Sequence, residues 1–162
     1  MPIVLAFSGG LDTSFCVPYL QETHDEPVHT VTVDTGGVTA DDRAAIEARA
    51  MDLGAAEHHF VGGCQVLYDD HLSYLIKGNV LRGGVYPLCV GPERIVQARG
   101  VAEVANDVGA STVAHGSTGA GNDQVRFDVA LQMQRDDLEI LAPIRSLGLT
   151  RDESTAFLEE RG

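Results

Sequence analysis

Two glycine-bearing stretches carry the groups with which this chain could do chemistry. The first, Ala6-Phe7-Ser8-Gly9-Gly10-Leu11-Asp12-Thr13-Ser14, sets a glycine pair between a charge-free apolar run and a hydroxyl- and carboxylate-bearing segment suited to opening a helix. Adjacent glycines turn tightly and let backbone amides approach a ligand. The free N–H groups and dipole of a helix start then favour an anion, so the expected chemistry is phosphate binding. The pattern Gly-x-x-x-x-Gly-Lys-Ser/Thr is missing here, and so is Gly-x-Gly-x-x-Gly, which argues against a kinase-like P-loop and against a dinucleotide fold. The plainer reading is a glycine turn that only packs a helix on a sheet.

The second stretch, His115 to Phe127, holds three glycines within six residues (Gly116, Gly119, Gly121) and then Asn122, Asp123 and Arg126. Asn122 and Arg126 are four apart and share a helical face. Arg126 can hold a carboxylate through two bonds, although it also suits a structural ion pair. Asp123 is a natural partner for an ammonium, and together with the Thr118 hydroxyl these groups suit α-amino acids as substrates. His58 and His59 are adjacent on a strand and should point to opposite faces, poor geometry for a shared metal. Cys16, Cys64 and Cys89 are odd in number and have no Cys-x-x-Cys spacing. They read as free thiols in a reducing cytosol. Cys16, at a helix start, could be a stabilised thiolate or a small packing residue, and its apolar neighbours Phe15 and Val17 favour packing.

Positioning these stretches requires strands and helices in alternation. Apolar runs predict strands at Ile3–Phe7, Val28–Val33, Glu57–Val61, Thr112–Ala114 and Leu138–Ala142. Helical spacing and caps predict helices over 13–22, 39–53, 66–76, 92–108, 122–133 and 151–161. Thr39 with Asp42, and Thr150 with Glu153, have capping-box spacing, and Pro18 should kink or interrupt the first helix. The expected fold class is α/β: an open parallel five-stranded sheet with helices on both faces, Rossmann-like, in one domain over residues 1–162. In such a sheet ligands gather beyond the carboxyl ends of the strands, so Gly36-Gly37 is either an adenosine contact or an ordinary turn.

Eleven basic and 24 acidic side chains give a net charge of −13, and Lys77 is the only lysine. Such a surface repels nucleic acid. No apolar run is long enough to span a bilayer, and the first strand is too short for a signal peptide, so no membrane partner and a cytoplasmic location are expected. An anionic nucleotide would have to be held by local backbone dipoles, a few arginines and a divalent metal.

The Ser-Gly-Gly-Leu-Asp-Thr-Ser loop resembles the pyrophosphate loop of the N-type ATP pyrophosphatases, an adenine nucleotide alpha hydrolase-like fold. With His-Gly-x-Thr-Gly-x-Gly-Asn-Asp-Gln-Val-Arg-Phe, Tyr86-Pro87-Leu88 and Ala142-Pro143-Ile144-Arg145, the chain closely resembles the nucleotide-binding part of the argininosuccinate synthase family. The resemblance implies a ligase that uses ATP and Mg2+ to join citrulline and aspartate through citrullyl-AMP, releasing AMP and pyrophosphate in arginine biosynthesis. It implies that Ala6, Phe7, Ser8, Gly9, Gly10, Leu11, Asp12, Thr13, Ser14, Val33 and Gly116 line ATP. Tyr86, Asn122 and Arg126 would hold citrulline, and Thr118, Asn122 and Asp123 aspartate; Tyr86 alone could also be a core aromatic. The metal's ligands are left unassigned. The family's synthetase domain and C-terminal oligomerisation helix have no counterpart in these residues, so the chain is expected to bind ATP while ligating weakly or not at all. A homo-oligomer, tetrameric in the family, is implied. Two departures stand out: Gly91 replaces a citrulline-contacting serine, and Ala120 a lysine. The alternatives are a stand-alone ATP-sensing module, which would leave the Asn-Asp-Gln-Val-Arg-Phe run unexplained, and a tRNA-thiolating pyrophosphatase, which would need reactive cysteines and a basic face.

Overall fold

A computed structural model describes residues 1–161. Ile3–Ala6 (β1) has no charged side chain and is buried on both faces, with Ile3, Val4 and Leu5 at most 2% exposed, because it is the middle strand of the sheet. It pairs in parallel with Val28–Asp34 (β2) on one side and with Thr112–His115 (β6) on the other. Glu57–Gly62 (β3) and Glu139–Leu141 (β7) complete a five-stranded parallel sheet in the order β3-β2-β1-β6-β7. The expected fold class is the observed one.

Helices cover both faces. On one side Leu11–His24 (α1) packs with Arg151–Glu159 (α8), joining Phe15, Cys16, Val17 and Leu20 to Ile3, Leu5 and Val28. Ala40–Asp52 (α2) flanks them, started by the Thr39/Asp42 capping box, with Ala50 buried and Ile46 half-buried. The Thr150/Glu153 box likewise starts α8. On the other side Val90–Asp107 (α5) and Asp123–Gln134 (α6) bury Ala98, Val101, Ala105 and Leu131 against Val4, Val31 and Val113.

Three features depart from the sequence expectation. No break interrupts α1 at Pro18: one missing ladder bond is outweighed where Val17, Pro18 and Leu20 are all buried. The helical stretch over 66–76 is Cys64–Leu67 (α3) and Ser73–Lys77 (α4) joined by a π-helical turn, Tyr68–Leu72. An antiparallel hairpin, Leu81–Arg82 (β4) with Tyr86–Pro87 (β5), turns through Gly83 and Gly84, both at positive φ. Pro143–Leu147 (α7) opens with a proline at its first turn. No described helix is long and apolar enough to cross a membrane.

The tightest helix–sheet approach is at Gly100 of α5, where an added Cβ would stand 2.8 Å from Val33 Cγ2 and 3.3 Å from Val61 Cγ1. Alanine is intrinsically the better helix former by about 1 kcal/mol, but overpacking against two short strand side chains costs about 1–3 kcal/mol. Gly100→Ala should therefore lower the unfolding free energy in denaturant titration by about 1 kcal/mol; a more stable variant would show that α5 can lift off β2 at no cost.

Candidate functional site

The chain enters β1 and β6 from the same end, and their following loops leave together at the carboxyl end, between neighbouring strands whose connections run to opposite sides of the sheet. That is the position where open α/β sheets form a crevice. Here it is a cleft of about 630 Å³. Ala6, Phe7, Ser8, Gly10, Leu11, Asp12 and Thr13 line it from the first loop, Val33, Thr35 and Gly36 from the end of β2, and Gly116 from the second loop.

Each part of the first loop has a local cause. Gly9 sits at φ +73°, with a would-be Cβ 3.3 Å from Ile46 Cγ1. The Ser8 N–H donates to Thr13 Oγ1 (3.3 Å), and the Thr13 hydroxyl donates to the Gly10 carbonyl (3.2 Å), bracing the turn from inside. Gly10, the N-cap of α1, has no side chain to offer, so the N–H groups of Leu11, Asp12 and Thr13 lack intrahelical acceptors and border the cleft. Gly116 is pressed against this turn: a Cβ there would lie 2.9 Å from Thr13 Cγ2 and 3.2 Å from its backbone nitrogen. Ser14 is buried, its hydroxyl accepting from Arg49 Nε at 2.8 Å, and does not line the cleft.

Of the residues expected to hold amino acids, Asp123 alone reaches the cleft wall. Its carboxylate accepts from Arg126 (2.8 Å) and from Arg94 (3.3 Å). Burial pushes its pKa up, but these guanidiniums outweigh burial and hold the carboxyl below the usual range. Arg126 is thus engaged within the chain. Thr118 and Asn122 are exposed on the second loop, and Tyr86 is 53% exposed on the hairpin; none of the three lines the cleft.

The far wall was not foreseen from the sequence. Glu93, Arg94 and Gln97, at the start of α5, link the Thr35 hydroxyl to Asp123: Thr35 donates to Glu93 (3.0 Å), and Arg94 donates to Gln97 (2.9 Å) and to Asp123. Their place in the first turns of an expected helix was the sequence signal, and it does not name the strand they face. Arg151, at the start of α8, also lines the cleft. Cys16 is fully buried, with its thiol pushed up to about 12 by burial and then by Asp12, so it is a packing residue.

Residues 2–162 match the family model described as "Arginosuccinate synthase N-terminal HUP domain". The chain belongs to the argininosuccinate synthase family. It is 48% identical to the argininosuccinate synthase of Xylella fastidiosa over 164 residues, covering 99% of this chain and 40% of that protein. It is 44% identical to that of Saccharolobus solfataricus, covering 100% of this chain and 41% of that one. The chain therefore spans about two fifths of these family members' length. A U34-tRNA thiolase from Methanococcus maripaludis shares the fold at a TM-score of 0.64 and 14% identity, over 98% of this chain and 56% of that one.

Behind the second loop, the buried His115 fixes where the His115-Gly116 turn leaves β6. The Ser117 N–H donates to Nδ1 (3.2 Å), which places the ring proton on Nε2, 2.8 Å from Asp128 Oδ1; Arg145 holds the other carboxylate oxygen at 2.9 Å. Burial lowers the imidazole pKa, and Asp128 only partly restores it. His29 and His58 are lowered as well, again by burial first. A group that protonates more readily unfolded than folded contributes stability above its unfolded pKa, lost as pH falls below it. The melting temperature should hold above pH 7 and decline below the ordinary imidazole value of 6.5. In His115→Gln it should start lower and fall less steeply; an unchanged slope in thermal melts would remove His115 from the acid response.

Proposed function

We propose that this chain is the nucleotide-binding domain of an argininosuccinate synthase-type ligase, holding ATP in the cleft beyond β1 and β6. The observation that carries the reading is the uncapped start of α1, bordering a 630 Å³ cleft with Gly116 packed against its first turn. Amides of Leu11, Asp12 and Thr13 supply donors at a helix N-terminus, where negative charge grows as pyrophosphate departs. Phe7, Ser8, Gly9 and Gly10 shape the turn, with Ala6, Val33 and Gly36 toward the nucleoside and Gly116 closing the phosphate side. Ser14 acts from beneath.

In the overall reaction the citrulline ureido oxygen attacks the α-phosphorus, the α–β bridging oxygen leaves with pyrophosphate, and citrullyl-AMP forms. The aspartate amine then attacks the activated carbon, losing a proton as the C–O bond to AMP breaks. No side-chain nucleophile is required; orientation of two substrates against an activated phosphate supplies much of the rate. Mg2+, when bound with ATP, shares the phosphate charge. Asp12 lines the cleft without a hydrogen bond or ion pair among the described residues, so its carboxylate fits that cation. Arg151 adds the cationic side chain the sequence reading lacked. Asn122, Asp123 and Arg126, with Thr118 and Tyr86, form the amino-acid side, where Arg126 exchanges Asp123 for a substrate carboxylate.

We further propose that the 162 residues bind ATP with Mg2+ but form little argininosuccinate alone. In calorimetry, Gly116→Ala should weaken MgATP binding by at least about tenfold, because its methyl group displaces the Thr13 turn. Arg126→Ala should leave ATP affinity within about threefold while removing any citrulline-dependent heat. Equal ATP affinity in Gly116→Ala would refute the site, and the absence of any citrulline response in the unsubstituted chain would favour an ATP-sensing module.

A further inference from the structure

At the opposite end of the sheet from the cleft, three side chains converge that the nucleotide chemistry does not use. His29 stands on β2 directly across from Glu57, the first residue of β3, and His59 lies two residues further along the same strand. Alternation puts all three on the face that carries α5, since Val31 and Val61 on that face pack with the α5 core. His29 Nδ1 is 3.1 Å from His59 Nε2, and Glu57 Oε2 is 3.8 Å from the first and 3.7 Å from the second. The imidazoles are mostly shielded, 17% and 21% exposed, while the Glu57 side chain is 60% exposed. No other trio of His, Cys, Asp or Glu side chains converges this way among the described residues.

We propose that His29, Glu57 and His59 form a binding site for a divalent cation of the zinc class. Zinc bonds of about 2.0–2.2 Å to nitrogen and oxygen in a tetrahedron set donor atoms about 3.3–3.6 Å apart. The three observed separations bracket that edge, so loading requires side-chain rotation and no movement of the strands. Two imidazoles and one carboxylate are a zinc donor set, and the exposed side of Glu57 leaves the fourth position to water. Magnesium and calcium, which prefer all-oxygen shells, are disfavoured. In the cation-free molecule one imidazole N–H donates to the other ring's lone pair. Binding moves that proton to the far nitrogen of its own ring and turns both lone pairs toward the ion. The bound ion would tie the edge strand β3 to β2.

The test is calorimetry of Zn2+ into the chelator-treated chain without nucleotide, with Mg2+ as the comparison ion. One equivalent should bind with Kd below about 100 µM. His29→Gln/His59→Gln should weaken binding by at least about tenfold, and His24→Gln/His71→Gln should not. Saturating Zn2+ should raise the melting temperature of the unsubstituted chain by about 5 °C or more, since a ligand of the folded state alone stabilises by mass action. Should the double variant unfold, imidazole proton resonances of the unsubstituted chain decide, with those of His29 and His59 shifting together. A Kd above about 100 µM, or zinc binding that spares these two rings, overturns the site.

Discussion

Gly116 touching the first turn of α1 is the contact on which the cleft depends. β1 can pair in parallel with β6 on one side and β2 on the other only if its side chains tolerate burial on both faces, which Ile3, Val4 and Leu5 do. That pairing brings two loops to one edge of the sheet. They then meet because residue 116 has no Cβ: its backbone comes so close to Thr13 that any side chain would push the turn away. The result is a rigid floor of amides, braced from within by Ser8 and Thr13.

The electrostatics favour amides for the proposed binding role. A chain with net charge −13 opposes an anionic ligand at long range, so attraction must be local. Most cations near the cleft are already committed. Arg94 and Arg126 share Asp123, and Arg145 is spent on Asp128, which in turn holds His115. These pairs leave the α1 dipole, the free amides and Arg151 available for the proposed phosphate contacts. Amide dipoles have no counterion to shed and little freedom to lose on binding.

The glycine turn and helix start after β1 were legible in the sequence because their causes are local: an apolar run, two glycines and a run suited to open a helix. The same holds for the capping boxes at Thr39 and Thr150, which need only a hydroxyl and a carboxylate three residues apart. What escaped is tertiary. Glu93, Arg94 and Gln97 become a cleft wall only because α5 crosses the carboxyl end of β2, and nothing in their own spacing names the facing strand. The His29–His59 contact joins residues thirty apart through strand register, so inspecting the adjacent His58 and His59 alone missed it. At Pro18 the helix continues without interruption, because the effect of a proline within a buried helix also depends on the packing around it. Tyr86 was placed by motif, and the hairpin that carries it contributes no residue to the cleft wall.

The central claim is that main-chain amides of two adjoining loops grip the nucleotide's phosphates. Amide chemical-shift titration of the isotope-labelled chain with ATP and Mg2+ reads those donors one by one. The account predicts that Gly9, Leu11, Asp12, Thr13 and Gly116 shift together along one saturation curve, while amides at the far end of the sheet stay still. Saturation that moves other amides and leaves these five in place would contradict it.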